Sequence, residues 1–382
     1  MGEKMKDGIR KRPDRPSPFS VGWRDPESKR LRWRSFKTEE EAKAFRDTVR
    51  VDIRQGTYVD PRPIPFRDFA LDWLARRRPT VSPNTAALHE WAVQKYLIPA
   101  FGPIPLQRLG AERIERWQAD LLSRGEPGPR SVEICRTVLG TLLKDARQKG
   151  RIYVNPMEAV RRFPVPKREL RYLTAEQVRL LCEHVGRVYG VLFLVMAFCG
   201  LRIGEALGLR WSDLDARHRR LLIQRQVIWR RKKDCKAGEP RWAIAEPKSE
   251  AGQRAVEIPA PLFPFLEAHR ETQNGSPNPL GLVFPSEDGT PLYPGNVRSR
   301  HFAPALKALG VEGIRPHDFR RTFIALHVEA GTHPKQIQER VGHSSIKLTM
   351  DVYGKLAGKM ALGAEQAARL DALATKALPA PE

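Results

Sequence analysis

The sequence predicts a mainly helical protein in three units, with small β-sheets in the first and the last. Hydrophobic residues fill 41% of its 382 positions, enough to build cores rather than a disordered tail. Over most of the chain apolar residues recur at helical spacing, and period-two alternation is confined to short stretches near residues 19–36 and 220–258. Prolines gather where the pattern changes, at Pro61, Pro63 and Pro65 and again at Pro164 and Pro166. These breaks bound units at 1–63, 64–165 and 166–382.

In the first unit a basic leader with Lys11, Arg12 and Arg15 precedes strand-like Phe19-Ser-Val-Gly-Trp23. Arg24 to Lys29 reads as a turn, and Leu31-Arg-Trp-Arg-Ser-Phe36 alternates like a strand. Thr38-Glu-Glu-Glu41 has capping-box spacing and opens a helix to about Gln55, which gives a small α+β unit. The second unit reads as all-α. Phe66, Phe69, Ala70, Trp73 and Leu74 form one apolar face, and helices follow over 86–98, 114–122 and 131–149. The third unit starts at a second capping box, Thr174-Ala-Glu-Gln177, and its first half is helical. Three short strands are expected at 220–229, 241–246 and 254–258, then helices from about Leu262, ending in an Ala-rich tail helix over 361–378.

The formal net charge of +23 calls for a polyanionic partner, and nucleic acid fits best because lysines and arginines that meet phosphates release condensed counterions. The first unit holds 17 Lys and Arg against 11 Asp and Glu, so the charge is spread through the chain. No stretch is long and apolar enough to span a bilayer, and the first residues lack the apolar run of a signal peptide, so a cytoplasmic, nucleoid-associated location is expected. Cys135, Cys182, Cys199 and Cys235 are scattered, which supports neither a disulfide framework nor a zinc site.

Three clusters carry chemistry. In Ala197-Phe-Cys-Gly-Leu-Arg-Ile-Gly-Glu205 an apolar helix stops at Gly200 and another begins near Gly204, so Arg202 projects from a tight joint. Glu205 is expected to hold an arginine in place. In Arg315-Pro-His-Asp-Phe-Arg-Arg-Thr322, His317 and Arg320 are three apart and share a face if both are helical. In Val341-Gly-His-Ser-Ser-Ile-Lys-Leu-Thr-Met-Asp-Val-Tyr353 a helix ends at Gly342, and Tyr353 falls at the end of the next helix or just beyond it. Taken singly, each has an ordinary explanation: a helix cap, a surface pair, a core tyrosine.

In this order, the two arginines, two histidines and tyrosine resemble the catalytic domain of the tyrosine recombinases, the phage-integrase family. Arg202 matches the family's first arginine box, His317 and Arg320 its His-x-x-Arg box, and His343 its Leu-Gly-His box. Tyr353 matches the nucleophile, and Lys248, in Pro247-Lys-Ser-Glu-Ala-Gly-Gln-Arg-Ala-Val256, matches the strand-turn lysine. The resemblance runs from about 170 to 355. By length and helical character the second unit looks like the family's core-site DNA-binding domain, and the first looks like an arm-site domain. Departures are mild: Phe319 and Val341 stand where leucine is usual, and Lys355 stands where many relatives carry histidine.

The resemblance implies a metal-free, ATP-free scheme with no cofactor. Attack on a phosphodiester builds charge on two non-bridging oxygens, which the planar guanidinium forks of Arg202 and Arg320 answer. His343 adds a donor, and His317 helps the phenol of Tyr353, whose pKa is ordinarily about 10, to lose its proton. Lys248 protonates the leaving 5′-oxygen, or else contacts a phosphate. Implied partners are double-stranded attachment-site DNA, three further copies in a homo-tetrameric synapse, and an accessory directionality factor. Expected DNA contacts are Lys11, Arg12, Arg15, Arg230, Arg231, Lys232, Lys233 and Arg321. A type IB topoisomerase would use similar residues, whereas a repressor or an RNA-binding protein would explain the charge but not the ordered clusters.

Overall fold

The computed structural model describes residues 8–26, 29–55, 63–166, 168–247 and 250–357. The chain packs as two compact units, 1–167 and 168–382, where the proline breaks predicted three. The first unit nevertheless contains two separate apolar clusters. One lies under a three-stranded antiparallel sheet of β1 (Ile9–Lys11), β2 (Phe19–Arg24) and β3 (Leu31–Phe36), against α1 (Glu39–Gln55). Ile9, Val21 and Ala42 are its buried residues. The capping box predicted for α1 forms: Glu41 N–H donates to Thr38 Oγ1 at 3.2 Å, and Thr38 N–H donates back to the Glu41 carboxylate at 3.4 Å. Strand β1, laid against β2 from Ile9↔Val21 to Lys11↔Phe19, is hidden in what reads as a basic leader.

The other cluster of this unit is helical: α2 (Phe66–Arg77), α3 (Pro83–Ala92), α4 (Ile98–Phe101), α5 (Ala111–Arg124) and α6 (Pro129–Gln148). Phe66, Trp73, Phe101 and Leu139 sit in its interior. Pro99 lies inside a continuous helical run from α3 to α4, where it has no N–H to give and its ring would press on the preceding turn. The five residues Val93–Leu97 before it widen into a π turn, which absorbs the proline without ending the helix.

In the second unit α7 (Ala175–Val185) leads to α8 (Arg187–Phe198), α9 (Ile203–Leu207), β4 (Leu214–Asp215), β5 (Arg220–Ile223), β6 (Gln226–Trp229), β7 (Trp242–Ala245) and β8 (Arg254–Glu257). Helices α10 (Phe263–Glu271), α11 (Pro294–Asn296), α12 (Ala303–Ala308), α13 (Phe319–Glu329), α14 (Pro334–Val341) and α15 (Ile346–Ala357) follow. The capping box at Thr174 forms as expected. Helix α8 is apolar on every side, and Val191, Leu192, Phe193, Val195, Met196 and Ala197 are all buried, so it is the axis of the larger core. A smaller core gathers Phe323, Ile324, Val328, Ile337, Val341 and Leu356 from α13, α14 and α15.

The stretch 220–229 is two strands, not the single one the alternation suggests. It breaks at Gln224-Arg225, and the two pieces join different sheets: β5 pairs with β4 and β8, whereas β6 pairs with β7. Tyr353 also departs from expectation. Helix α15 continues through it to Ala357, so it lies inside the helix rather than at its end. Lys248 and the tail stretch 361–378 lie outside the described residues. Among the described residues, no helix is long and apolar enough to cross a membrane.

Candidate active site

Arg202 sits where the sequence puts it, in the joint between α8 and α9. The joint is tight because Gly200 adopts φ +65°, and a side chain there would begin 2.8 Å from the ring of Phe323. Arg202 is held from behind. Its main-chain N–H donates to Glu205 Oε2 at 3.0 Å and its Nη1 to Glu205 Oε1 at 2.5 Å. The Glu205 side chain is 2% exposed, while that of Arg202 stays 38% exposed, so the pair shows a guanidinium face to solvent over a buried counter-ion.

Glu205 holds a second arginine that the sequence reading missed. Arg254, on β8, donates to Glu205 Oε2 at 3.0 Å, to Arg340 O at 2.8 Å and to Gly252 O at 3.0 Å. Its side chain is buried. The clue was present: in period-two strand β8, Arg254 falls on the same face as buried Val256, an unusual place for a charge. Desolvation pushes the Glu205 pKa up, but the two arginines and the Arg202 N–H outweigh it and hold the carboxylate below its ordinary value.

Arg320 is buried, with a residue exposure of 2%. Its Nη1 donates to Gly200 O at 2.9 Å, at the end of α8, and its Nη2 to Val341 O, at the end of α14. One guanidinium thus ties together the two chain reversals that carry Arg202 and His343. Burial, then the positive charge of Arg202, pushes its pKa down to about 9, which leaves it charged at pH 7. Gly342 closes α14 with φ +67°, its N–H donating to Gln338 O, and a side chain there would meet Ala251 O at 2.5 Å.

His317 does not share a helix with Arg320; it lies in the single 3-10 turn Pro316–Asp318 that leads into α13. The two still lie close together. Partial desolvation, then the charges of Arg320 and Arg202, hold His317 below the ordinary histidine pKa. The residue as a whole stays exposed. His343 is half-buried, and its pKa is driven down to about 4 by burial, then by Arg320, Arg202, His317 and Arg254. Each of the four groups therefore feels its neighbours, although they come from three distant stretches of chain. Tyr353 is half-buried against the smaller core. Among the described residues, the hydrogen bonds that knit the cluster run through Glu205, Gly200 and Val341, and none involves Tyr353.

The residues expected to meet DNA fall into two sets. Lys232 and Lys233 are exposed on the turn after β6, Arg15 is exposed, and Lys11 lies over the Phe19 ring at 5.6 Å. Arg12 is half-buried. Arg230, Arg231 and Arg321 instead have acidic partners: Glu239 at 3.5 Å, Asp234 at 2.7 Å and Asp318 at 3.0 Å. Asp318 is a second buried anchor, and it also accepts from the Arg315 N–H and from Arg168 Nη2. Among the described residues, no three His, Cys, Asp or Glu side chains cluster as metal ligands.

A helical unit with small antiparallel sheets thus brings two arginines and two histidines together. The phage integrase family model matches residues 171–359, and the SAM-like N-terminal domain of phage integrases matches 65–122. The chain belongs to the phage-integrase family of tyrosine recombinases, and its activity is site-specific DNA recombination. The ICEBs1 integrase of Bacillus subtilis is 26% identical over 348 residues, covering 88% of this chain and 92% of that protein. An integrase of Streptomyces ambofaciens is 28% identical over 354 residues, covering 87% of each. Among solved structures, the Tn1549 transposon integrase in complex with a circular intermediate DNA has a TM-score of 0.66 at 19% identity, over 76% of this chain and 95% of that one. A lambda integrase dimer bound to a COC′ core site has a TM-score of 0.58 at 16% identity, over 92% and 96%. These two likenesses are of fold.

Proposed function

We propose that Tyr353 is the nucleophile of this recombinase, that Arg202, Arg320 and His343 hold the scissile phosphate, and that His317 assists the phenol. The observation that carries the reading is the convergence of those four groups, with Arg202 anchored on buried Glu205 and both histidines held down by burial and then by the two arginines. One carboxylate, Glu205, faces both Arg202 and Arg254 and leaves Arg320 beside them, so positive charge is in excess and a phosphate would balance it. The phenolic oxygen of Tyr353 attacks phosphorus as the P–O5′ bond breaks, giving a 3′-phosphotyrosine and a free 5′-hydroxyl. His317, neutral at pH 7, takes the phenol proton, and Lys248 gives one to the leaving oxygen. Attack by a 5′-hydroxyl reverses the step, so no phosphodiester energy is lost and neither metal nor ATP enters.

Lys11, Arg12, Arg15, Arg230, Arg231, Lys232, Lys233 and Arg321 complete the proposal as DNA contacts, those with acidic partners exchanging them for phosphate. Two apolar clusters within residues 1–167 support a division into an arm-site domain (1–63) and a core-site domain (64–165). A lambda integrase tetramer bound to a Holliday junction is known; we extend four-fold assembly on two attachment sites, aided by a directionality factor, to this chain. Integration or excision of a mobile element follows, in the cytoplasm where the DNA lies.

The test is incubation with attachment-site DNA carrying a nick beside the cleavage site, followed by a denaturing gel. A covalent adduct is expected from the wild-type protein and none from Tyr353→Phe. An equal adduct from Tyr353→Phe defeats the assignment.

A further inference from the structure

Thr349 is a buried polar residue outside the proposed machinery. It is 0% exposed, and its Oγ1 lies 3.0 Å from His343 Nδ1. Three other helical threonines behave differently. Thr48, Thr137 and Thr141 turn their hydroxyls back onto carbonyls four residues earlier, at 3.0, 2.8 and 2.9 Å. Thr349 turns its hydroxyl to the histidine.

A buried hydroxyl needs an acceptor for its proton, because leaving a donor unsatisfied in the interior is costly. A neutral imidazole offers one acceptor nitrogen, and the hydrogen bond at that nitrogen decides which of the two carries the proton. His343 is neutral near pH 7 because burial and the surrounding arginines resist its protonation. With Thr349 donating to Nδ1, the proton of the ring sits on Nε2, the nitrogen free to face a phosphate oxygen.

The helix adds a second consequence. Thr349 and Tyr353 are four apart on α15, so they lie on one face of it. The side of α15 that reaches His343 is therefore the side that bears Tyr353. A slip of α15 by a single residue would swing both away together.

We propose that Thr349 is a positioning residue that fixes the Nε2–H tautomer of His343 and couples the readiness of this donor to the seating of the helix that carries Tyr353. The inference rests on the assignment of His343 as a phosphate donor.

The experiment compares Thr349→Val, which keeps the shape and loses the hydroxyl, with Thr349→Ser, which keeps the hydroxyl. Both are made in the full chain, with and without His343→Ala, and single-turnover adduct formation is timed on nicked attachment-site DNA. Thr349→Val is expected to slow the step about tenfold, the loss of one hydrogen bond felt in the transition state. Thr349→Ser is expected to restore the rate to within about threefold, and in the His343→Ala background the valine is expected to add no further loss. In parallel, ¹⁵N-histidine NMR of the wild-type protein is expected to show His343 as one tautomer, protonated at Nε2, and Thr349→Val a mixture. An unchanged rate in Thr349→Val, failure of serine to restore it, or a valine penalty that persists without His343 overturns the inference. The NMR comparison needs no cleavage. It decides the Thr349 assignment even where the wild-type protein forms no adduct, a result that counts against the Tyr353 reading instead.

Discussion

Arg320 and Tyr353 belong to the same half of the chain and are set in place by opposite means. Arg320 is buried, and its guanidinium bonds the carbonyls of Gly200 and Val341, so it is part of the skeleton that shapes the two reversals. Tyr353 lies half-buried on α15, packed against the smaller core. The charged framework is built like a core, whereas the proposed nucleophile rides on α15 and takes part in none of the hydrogen bonds that shape the two reversals. Such a division suits a reaction in which the phosphate site must be preorganised while the attacking group is delivered to it. It also predicts that framework substitutions damage stability and activity together, and that Tyr353→Phe, which keeps the packed ring, damages activity alone.

The largest effect is expected at Glu205. Its carboxylate is the buried partner of both Arg202 and Arg254, so Glu205→Ala leaves two guanidiniums uncompensated. Thermal unfolding followed by circular dichroism should show a loss of about 3–5 kcal/mol, with no adduct formed. Retained stability would mean that the arginines find other partners and that the framework is looser than described.

A smaller effect concerns pH. His327 and His343 are both driven down to about 4, first by burial. On unfolding they return to about 6.5, so between these values the unfolded chain binds more protons than the folded one. Stability therefore falls as pH drops from about 6.5 towards 4. Melting the wild-type protein and a His327→Phe, His343→Asn double variant across that range should give a flatter slope for the variant. Glu205 acts in a lower window: its folded pKa lies below the ordinary value, so its contribution is present at neutral pH and lost as pH falls through that lower value.

The smallest effect on the fold is expected at Lys232 and Lys233, exposed on the turn after β6. Replacing both with alanine should leave the melting temperature unchanged. The slope of log affinity for DNA against log salt should become shallower by about 0.9 for each phosphate that these lysines neutralise. An unchanged slope removes this turn from the DNA interface.

Much of this is legible in the sequence, and the reasons are local. Capping boxes at Thr38 and Thr174 are short-range signals, and both form. The apolar run before Gly200 announces a buried helix that ends abruptly, which locates Arg202, and Glu205 proves to be its anchor. What fails depends on distant pairing. Nothing in the alternation over 220–229 reveals that β5 will pair with β8 while β6 pairs with β7. Arg254 escapes notice because its partners, Glu205 and the Arg340 carbonyl, lie 49 and 86 positions away. Gly354 reads as a stop that would leave Tyr353 at a helix end, yet the small core holding Leu356 carries α15 past it.

Tyr353 is proposed to become joined to the very DNA phosphate that Arg202 and Arg320 hold. The most direct test is to trap the adduct, digest protein and DNA, and find by mass spectrometry which peptide carries the nucleotide. A nucleotide is expected on the peptide containing Tyr353, with fragmentation locating it on the phenol. A nucleotide found on another side chain, with the Tyr353 peptide unmodified, would contradict the assignment.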